Sequence, residues 1–302
     1  MNRSFFEQKN PENWANVLKK DTGGIMDKND ATFTPIFDGK TLAGWHSVPR
    51  LPVPRAPGEP GPDTTTEKYR RAMQTSGKWT VEDGAITGRQ DPTGCGYGGY
   101  LLSDGLYGDF ELSFEAHPDW PADTGILVRA SALGSQGFQI LLDHRRSGNI
   151  GGIYGNGIGG FHGINFTLDG KYDEQGKPIG LKLEDPSNTI EPMTPDKPAL
   201  LEYAATGEQF LSIWKWNNWN EFKIRVEGTS PRITVHINDM KISEINTATL
   251  KHPFYNATTV RDLLSPKGHI AFEIHDNDPG MGEARWAPNA ACRWRNIRIY
   301  EF

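Results

Sequence analysis

Acid–base side chains recur at alternate positions in four segments: DFELSFEA at 109–116, GILVRA at 125–130, GFQILLDH at 137–144 and HIAFEIHD at 269–276. Successive side chains of a strand point to opposite faces, so the apolar positions predict a buried face and the polar positions the face opposite. That second face carries Glu111, Ser113, Glu115, Arg129, Gln139, Asp143, Glu273 and His275. Such side chains can move a proton, hold hydroxyl groups and stabilise developing negative charge. The mixture favours a ligand cleft over its alternative, an ordinary solvated surface.

A long insertion at 151–218 carries aromatic residues that could cover this face. It begins with GGIYGNGIGGFHG and ends with FLSIWKWNN. Aromatic rings bind the apolar C–H side of a pyranose, and planar polar groups bind paired hydroxyls, so the combination indicates a polyhydroxylated ligand. The spacing of the glycines is only weak evidence for a dinucleotide-binding loop, because no βαβ unit surrounds them. We interpret the stretch as a flexible loop over the ligand.

Short strands separated by turns must position these side chains. Asp83-Gly84 and Asn238-Asp239 are tight hairpin signals, and no amphipathic helix of ten or more residues lies between strands, so βαβ crossovers are excluded. The pattern predicts an all-β antiparallel sandwich, jelly roll or barrel. The predicted core residues are Phe110, Leu112, Phe114, Ile126, Val128, Ile140, Ile270, Phe272, Ile274 and Ile297. The predicted strands are 79–81, 85–88, 99–103, 110–116, 125–130, 138–143, 221–227, 232–237, 241–245, 268–275 and 292–300.

The chain divides into an N-terminal arm, 1–31, and a single domain, 32–302, with insertions at about 49–75 and 151–218. The arm could form one short helix over Glu12–Lys20. Residues 49–66 are rich in proline and predict a loop. Because this loop lies inside the globular region, we expect it, like the insertion 151–218, to border the binding face.

Composition excludes several classes of protein. The chain has 302 residues, 36% of them hydrophobic, which is enough for a substantial core. Its net charge of −6 argues against nucleic acid and anionic membrane as partners, and no apolar run reaches the length of a membrane span. The N-terminus has no signal-peptide pattern, which predicts a cytoplasmic protein; a trimmed N-terminus would instead fit a periplasmic or secreted one. Cys95 and Cys292 are interpreted as ordinary thiols, with one disulfide as the alternative.

Nine blocks occur in the order and spacing of a known family. The sequence resembles the DUF1080 family, also called the 3-keto-disaccharide hydrolase domain, over residues 32–302. The resemblance implies a concanavalin A-like jelly roll of two antiparallel sheets, as in lectins and glucanases, with sugar bound on the concave face. The blocks are IFDGKTLAGW (36–45), WTVEDGAITG (79–88), YGDFELSFE (107–115), TGILVRA (124–130), GFQILLDHR (137–145), GGIYG (151–155), WNEFKIRVEG with ITVHIND (219–239), GHIAFEIHD (268–276) and WRNIRIYEF (294–302).

The resemblance further implies action on glycosides whose sugar is a ketone at carbon 3. Removal of the acidified hydrogen at carbon 2 expels the glycosidic oxygen by β-elimination, and water then adds to give net hydrolysis. Such chemistry needs a base, an acid and a group for the enolate oxygen. We expect His275 to be base or acid, Glu273 or Asp143 to assist it, and Arg129 to bind the ketone oxygen. Further expected contacts are Glu115 and Gln139 to hydroxyls, and Tyr154 and Trp219 stacked on the sugar.

Two other functions stay open. A non-catalytic carbohydrate-binding module would use the same scaffold. A direct-displacement β-glucanase is disfavoured, because neither Glu273-Ile-His275-Asp276 nor Glu111-Leu-Ser113-Phe-Glu115 places an inward Asp between two Glu. A divalent metal of unknown identity could polarise the ketone, and a structural calcium is a second alternative, but no compact motif such as HExxH names ligands. A carbohydrate is the expected partner, and homo-oligomerisation is left open.

Overall fold

The computed structural model describes residues 32–187 and 189–302, so the predicted arm 1–31 and its helix Glu12–Lys20 lie outside the described residues. Within these ranges the strands are β1 (Thr34–Pro35), β2 (Trp45–Pro49), β3 (Lys78–Glu82), β4 (Ala85–Arg89), β5 (Gly99–Ser103), β6 (Phe110–Pro118), β7 (Ala122–Ala130), β8 (Gly137–His144), β9 (Ile150–Asn156), β10 (His162–Gly163), β11 (Leu168–Tyr172), β12 (Pro178–Leu183), β13 (Tyr203–Ala204), β14 (Asn220–Glu227), β15 (Arg232–Ile237), β16 (Met240–Asn246), β17 (His269–Ile274) and β18 (Cys292–Glu301).

Helices in the described ranges are short. They are α1 (Glu67–Ala72), α2 (Asp196–Ala199), α3 (Gly207–Ile213) and α4 (Ala257–Leu264), with a 3₁₀ turn at Gly282–Ala284. None of them combines the length and apolar character that crossing a bilayer requires. Strands connected by loops and hairpins therefore carry the fold, which confirms the predicted all-β architecture.

Two large antiparallel sheets pack face to face. The nine-stranded sheet has the order β13-β16-β15-β14-β6-β18-β4-β3, with β1 also paired to β18. The seven-stranded sheet has the order β10-β9-β8-β7-β17-β5-β2. Phe272 of the second sheet contacts Phe114 and Trp294 of the first, with ring centroids 5.9 and 4.8 Å apart. These contacts place the core between the sheets, and all ten predicted core residues are buried there.

Alternation divides the seven-stranded sheet into two faces. Leu101, Ile126, Ile140 and Phe272 belong to the core between the sheets. Their neighbours Tyr100, Leu102, Leu127, Ala130 and Ala271 form a second, separate apolar cluster. Because the two clusters do not merge, the second must lie on the opposite side of the sheet. We call that side the site face.

Both predicted hairpin turns are present. Asp83-Gly84 joins β3 to β4, and Asn238-Asp239 joins β15 to β16. All four residues have positive φ, from 47° to 77°, as two-residue turns that match the strand twist require. The residue types at these turns therefore set the register of each hairpin.

The Gly-rich start of the insertion at 151–218 is not the flexible loop that its composition suggested. Residues Ile150–Asn156 form β9, which pairs with β8 inside the seven-stranded sheet. Glycine serves close packing here, since a Cβ on Gly155 would lie 2.4 Å from the ring of Phe161. The missing side chains hid the period-two pattern by which a strand is recognised. Cys95 and Cys292 are both free thiols.

Candidate functional site

A buried carboxylate lies at the centre of the site face. Glu273 on β17 is fully buried, and its two oxygens receive three donors. Arg50 Nε and Tyr100 OH donate to Oε1 at 2.6 and 3.1 Å, and Gln139 Nε2 donates to Oε2 at 2.6 Å. The strands set this geometry, because Tyr100 lies directly opposite Glu273 in the β5–β17 pair. A buried carboxylate with this many donors is held rigidly in place.

Arg50 comes from the Pro-rich loop, which therefore borders the site face as predicted. Besides Glu273, its guanidinium contacts Asp276 and lies 2.9 Å from Nε2 of His275. Burial opposes the charge, but Asp276, Tyr100 and Glu273 together raise the pKa of Arg50 well above its ordinary value. Arg50 is thus a fixed cation that joins the central carboxylate to the imidazole.

His275 lies at the end of β17, with 16% of its side chain exposed. Its Nδ1 lies 2.6 Å from the backbone oxygen of Asp276. A carbonyl only accepts, so Nδ1 must carry the proton and Nε2 the lone pair in the neutral ring. Nε2 faces Arg50 at 2.9 Å and Arg285 at 3.4 Å. The lone pair on Nε2 can therefore accept a proton, and it lies between the guanidinium groups of Arg50 and Arg285.

Two aspartates face each other on neighbouring strands. Asp123 of β7 lies directly opposite Asp143 of β8, and both are buried. Burial and the adjacent Asp123 raise the pKa of Asp143 well above its ordinary value. Burial also disfavours a charged Asp123, but Arg145, His275 and Arg285 outweigh it and lower the pKa of Asp123. The opposite directions of the two shifts make Asp143 the carboxyl of this pair that favours the protonated form.

Two further arginines connect this pair to His275. Arg145 Nε donates to Asp123 at 2.6 Å, and Arg285 donates to the same oxygen at 2.5 Å. Both guanidinium groups also bond Glu191, at 2.9 and 3.1 Å. Glu191 belongs to the insertion 151–218, so that insertion also borders the site face as predicted. One continuous polar network thus runs from Asp143 to His275.

Tyr154 joins the same face from β9. It lies opposite Gln139 in the β8–β9 pair, and its ring centroid is 5.7 Å from that of His162. Burial raises the pKa of the Tyr154 phenol, with a smaller opposing effect of Arg50. The structure therefore brings together five of the predicted site residues, which are Gln139, Asp143, Tyr154, Glu273 and His275.

Arg129 does not lie with them. A positive φ of 53° and a register shift opposite His269 and Ala271 mark a β-bulge, which breaks the alternation that had placed Arg129 beside Gln139. Its guanidinium donates instead to the backbone oxygens of Gly108, Pro266 and Gly228. The neighbouring Ala130 pairs with His269, six residues from His275, which is about 20 Å along a strand. The predicted meeting of Arg129 with His275 is wrong.

Glu115 and Trp219 lie on the other sheet. Glu115 is on β6 and accepts from Arg295 Nε at 2.8 Å. The same Arg295 guanidinium stacks over Trp219 at 4.1 Å. Alternation assigns each residue to a face of its own strand but not to a sheet, so the prediction that these two residues meet the others is also wrong.

Sequence reasoning missed Arg50, Tyr100, Asp123, Arg145, Glu191 and Arg285. Asp123 could have been predicted, because it occupies the same alternate positions as Gly125 and Leu127 on its strand. Arg50 lies in a loop already expected at the site. Glu191 and Arg285 come from segments far apart in the sequence, and no local pattern identifies their partners.

No three His, Cys, Asp or Glu side chains of the described ranges form a group that could hold a metal ion. The carboxylates of the site face are instead paired with guanidinium groups. A divalent metal of unknown identity that could polarise the ketone stays an open alternative. The side chains present can accept a proton, donate one and stabilise an oxyanion.

Several solved structures of other proteins are similar to this chain at low sequence identity. A Parabacteroides distasonis protein assigned as a glycosyl hydrolase has a TM-score of 0.44 and 14% identity, over 89% of this chain and 94% of its own. The carbohydrate-binding module CBM66 of Bacillus subtilis has a TM-score of 0.40 and 11% identity, over 74% and 92%. The Bacillus licheniformis β-glucanase has a TM-score of 0.40 and 8% identity, over 91% and 100%.

Among curated protein sequences, none matches this chain. A family model does match, over residues 32–300. It describes the 3-keto-alpha-glucoside-1,2-lyase-like domain. The matched range contains both sheets and every residue of the site face described above, and the chain therefore belongs to this family.

Proposed function

We propose that the protein cleaves 3-keto-glycosides by β-elimination followed by hydration, at the His275 end of the site face. The observation that carries the proposal is the partly exposed His275 imidazole, whose unprotonated Nε2 faces two guanidinium groups. Family membership supports a sugar substrate. The reaction class follows from what these groups can do to a ketone-bearing sugar.

The proposed reaction balances without an oxidant or reductant. A base removes the hydrogen at carbon 2, which the neighbouring ketone at carbon 3 has acidified. The electron pair forms a double bond between carbons 1 and 2 as the bond from carbon 1 to the glycosidic oxygen breaks. An acid supplies a proton to the departing oxygen. Water then adds to the enone and gives the free 3-keto sugar.

His275 is the proposed base. The carbonyl of Asp276 holds its tautomer through Nδ1, which leaves the lone pair on Nε2. A proton gained there would be stabilised by the Asp276 carboxylate, 3.3 Å from Nδ1, and by Asp123 beyond Arg285. Substrate has to displace at least one of the two guanidinium contacts to Nε2, while Glu273 and Asp123 keep Arg50 and Arg285 at the site.

Arg50 and Arg285 are the proposed oxyanion partners. Deprotonation at carbon 2 places negative charge on the ketone oxygen, which an adjacent cation stabilises strongly in a site with little water. Glu273 and Asp123 hold these two guanidinium groups at 2.6 and 2.5 Å. Glu273 therefore acts as a positioning residue, because its own oxygens are already bonded to three donors.

Asp143 is the proposed acid. Burial and Asp123 both disfavour its charge and raise the pKa of this carboxyl well above its ordinary value. A neutral carboxyl can protonate a leaving oxygen that a carboxylate could not. After release of that proton, the negative charge on Asp143 would be balanced by Arg145, whose NH2 group is 3.8 Å from its Oδ2.

A non-catalytic carbohydrate-binding module is the second candidate function. The observation that favours it is Glu273, whose two oxygens already accept three donors and so cannot serve as an open acid–base group. Such networks also occur as rigid platforms for sugar hydroxyls.

One assay separates the candidates. The protein is incubated with a chromogenic α-glucoside and with its 3-keto derivative, and release of the chromophore is followed. Release from the keto form alone supports elimination. Release from neither supports the binding module, and release from the unoxidised glucoside supports direct displacement.

A further inference from the structure

A pocket lies at one end of the sandwich, outside the network of the site face. Its volume is about 650 Å³, within the range of small-molecule sites. Its walls come from the β6–β7 turn, the end of β8, the start of β12 and the loop after the 3₁₀ turn. The residues used below are Asp119, Trp120, His144, Lys177, Trp216 and Asn217.

Two tryptophans give this pocket aromatic walls. The ring centroids of Trp120 and Trp216 are 5.9 Å apart, and the planes are inclined at 55°. Both side chains are partly exposed. The indole N–H of Trp120 donates to the hydroxyl of Tyr172 at 3.0 Å, which fixes that ring at the rim. Large indole faces open to solvent are favourable surfaces for the C–H side of a sugar ring.

Polar groups surround these rings. Asp119 Oδ2 accepts from the amide of Ala291 at 2.9 Å and from Arg293 at 3.4 Å, whereas Oδ1 accepts from Arg293 alone at 2.7 Å and keeps a lone pair. Asn217 has a positive φ of 48°, a conformation that costs energy in a residue other than glycine. Lys177 also lines the pocket and adds an ammonium donor. Carboxylate, amide and ammonium groups beside indole rings suit a neutral polyhydroxylated ligand.

A buried acceptor in the wall lacks a donor. His144 is only 2% exposed, and its Nδ1 must donate to the backbone oxygen of Asp119 at 2.8 Å. Burial lowers the pKa of His144 to about 4, so the ring is neutral and Nε2 carries a lone pair. No hydrogen bond from the described residues reaches that atom. The rings of Trp120, Trp214 and Trp216 lie against the imidazole, so this acceptor is enclosed in the wall of the pocket.

We infer that this pocket, here called the tryptophan pocket, binds a pyranose unit of a carbohydrate. The sugar would place its C–H side on Trp216 and Trp120 and its hydroxyls on Asp119 and Asn217. This inference does not depend on the elimination chemistry, because none of these side chains belongs to the proposed catalytic set.

The fold separates the tryptophan pocket from the site face and yet keeps the two adjacent. Asp123 and Asp143 are paired on β7 and β8, and their chain neighbours Ala122 and His144 form the next pair. Successive residues of a strand point to opposite faces, so the aspartates lie on the site face and His144 points to the other side of the sheet. Arg285 belongs to the site face, and residues 287–290 line the tryptophan pocket. A carbohydrate of more than one unit could therefore be held at one end while another unit reaches His275.

Sugar binding by variants tests this inference. The probes are methyl α-glucopyranoside and trehalose, with glycerol as a polyol that lacks a pyranose face. Saturation-transfer NMR detects contact, and titration gives Kd. The variants are Trp216→Ala and the milder Trp216→Phe. Tyr203→Ala is the matched control, an exposed aromatic residue on β13 at the edge of the nine-stranded sheet, and His275→Ala reports on the site face.

The wild-type protein, Tyr203→Ala and His275→Ala should bind a sugar probe but not glycerol. Trp216→Ala should weaken binding at least tenfold, with a smaller loss for Trp216→Phe. The inference is overturned if the wild-type protein binds neither sugar, or if both Trp216 variants bind as the wild type does. Loss of binding in His275→Ala alone would place the sugar on the site face and would also overturn it. The release of chromophore from the 3-keto glucoside, measured with Trp216→Ala, tests the proposed reaction independently of sugar binding in the tryptophan pocket.

Discussion

Asp123 and Asp143 lie directly opposite each other on β7 and β8, and the pKa values of their carboxyl groups are shifted in opposite directions. The physical cause is the placement of cations. Arg145 and Arg285 both bond the same oxygen of Asp123, whereas Asp143 has Arg145 beside it at the longer distance of 3.8 Å. Two neighbouring carboxyls that cannot both ionise divide into one anion and one acid.

Replacing Asp143 by Asn should separate catalysis from stability. Above about pH 4 the unfolded Asp143 ionises while the folded one stays neutral, so this residue makes the free energy of unfolding fall as pH rises. Asp143→Asn should therefore be more stable relative to wild type at pH 8 than at pH 4, as urea titrations would measure. Its turnover should fall by about 10²- to 10⁴-fold, as expected for a lost general acid.

Asp123→Asn is the matched comparison and should behave differently. It leaves two buried guanidinium groups without their shared carboxylate, which should cost about 3–5 kcal/mol of stability. Equal stability of the two variants at neutral pH would contradict the assignment of the proton to Asp143.

His275→Ala should reduce turnover by about 10²- to 10⁴-fold, because a positioned proton-transfer group is removed. Folding should be little affected, since the side chain is partly exposed and outside the core. His236→Ala is the control, on the nine-stranded sheet beside Lys223 and Lys241. Steady-state rates with a 3-keto substrate give the answer, and full turnover by His275→Ala would remove this residue from the mechanism.

Arg129→Ala should destabilise the protein without changing KM. The guanidinium bonds three backbone oxygens and Asp109 where loops of both sheets meet, and it is almost wholly buried. Loss of these charge-assisted bonds should cost about 3 kcal/mol. Thermal unfolding and KM measured together decide the matter: a raised KM with unchanged stability would restore Arg129 to a role in substrate binding.

His144 should make stability depend on pH. Its folded pKa of about 4 lies below the ordinary 6.5, so between these values the unfolded state binds more protons. The free energy of unfolding should rise with pH across that window, by about 3 kcal/mol in total. His144→Phe should flatten this part of the profile relative to wild type. An unchanged slope would show that other groups produce it.

The sequence predicted the sandwich well because its signals are local. Alternation identified the core side of β6, β7, β8 and β17, and the residue pairs Asp83-Gly84 and Asn238-Asp239 identified two hairpins. The glycines of β9 concealed a strand because they lack the side chains that make alternation visible.

The site was predicted only in part, because it depends on which strands become neighbours. Gln139 and Glu273 were correctly placed on one face, and they meet at 2.6 Å. Glu115 shows the same alternation on a strand of the other sheet. At Arg129 a single bulged residue redirected the side chain. Arg285 reaches Asp123 from 162 residues away, and no spacing rule encodes such a contact.

The most direct test of the central claim follows the hydrogen at carbon 2. A chromogenic 3-keto-α-glucoside is prepared with hydrogen or deuterium at that carbon, and chromophore release is compared under saturating substrate. Elimination with His275 as base predicts slower release from the deuterated compound, and no release from the glucoside that lacks the ketone. Equal rates for both isotopic forms, together with release from the unoxidised glucoside, would contradict it.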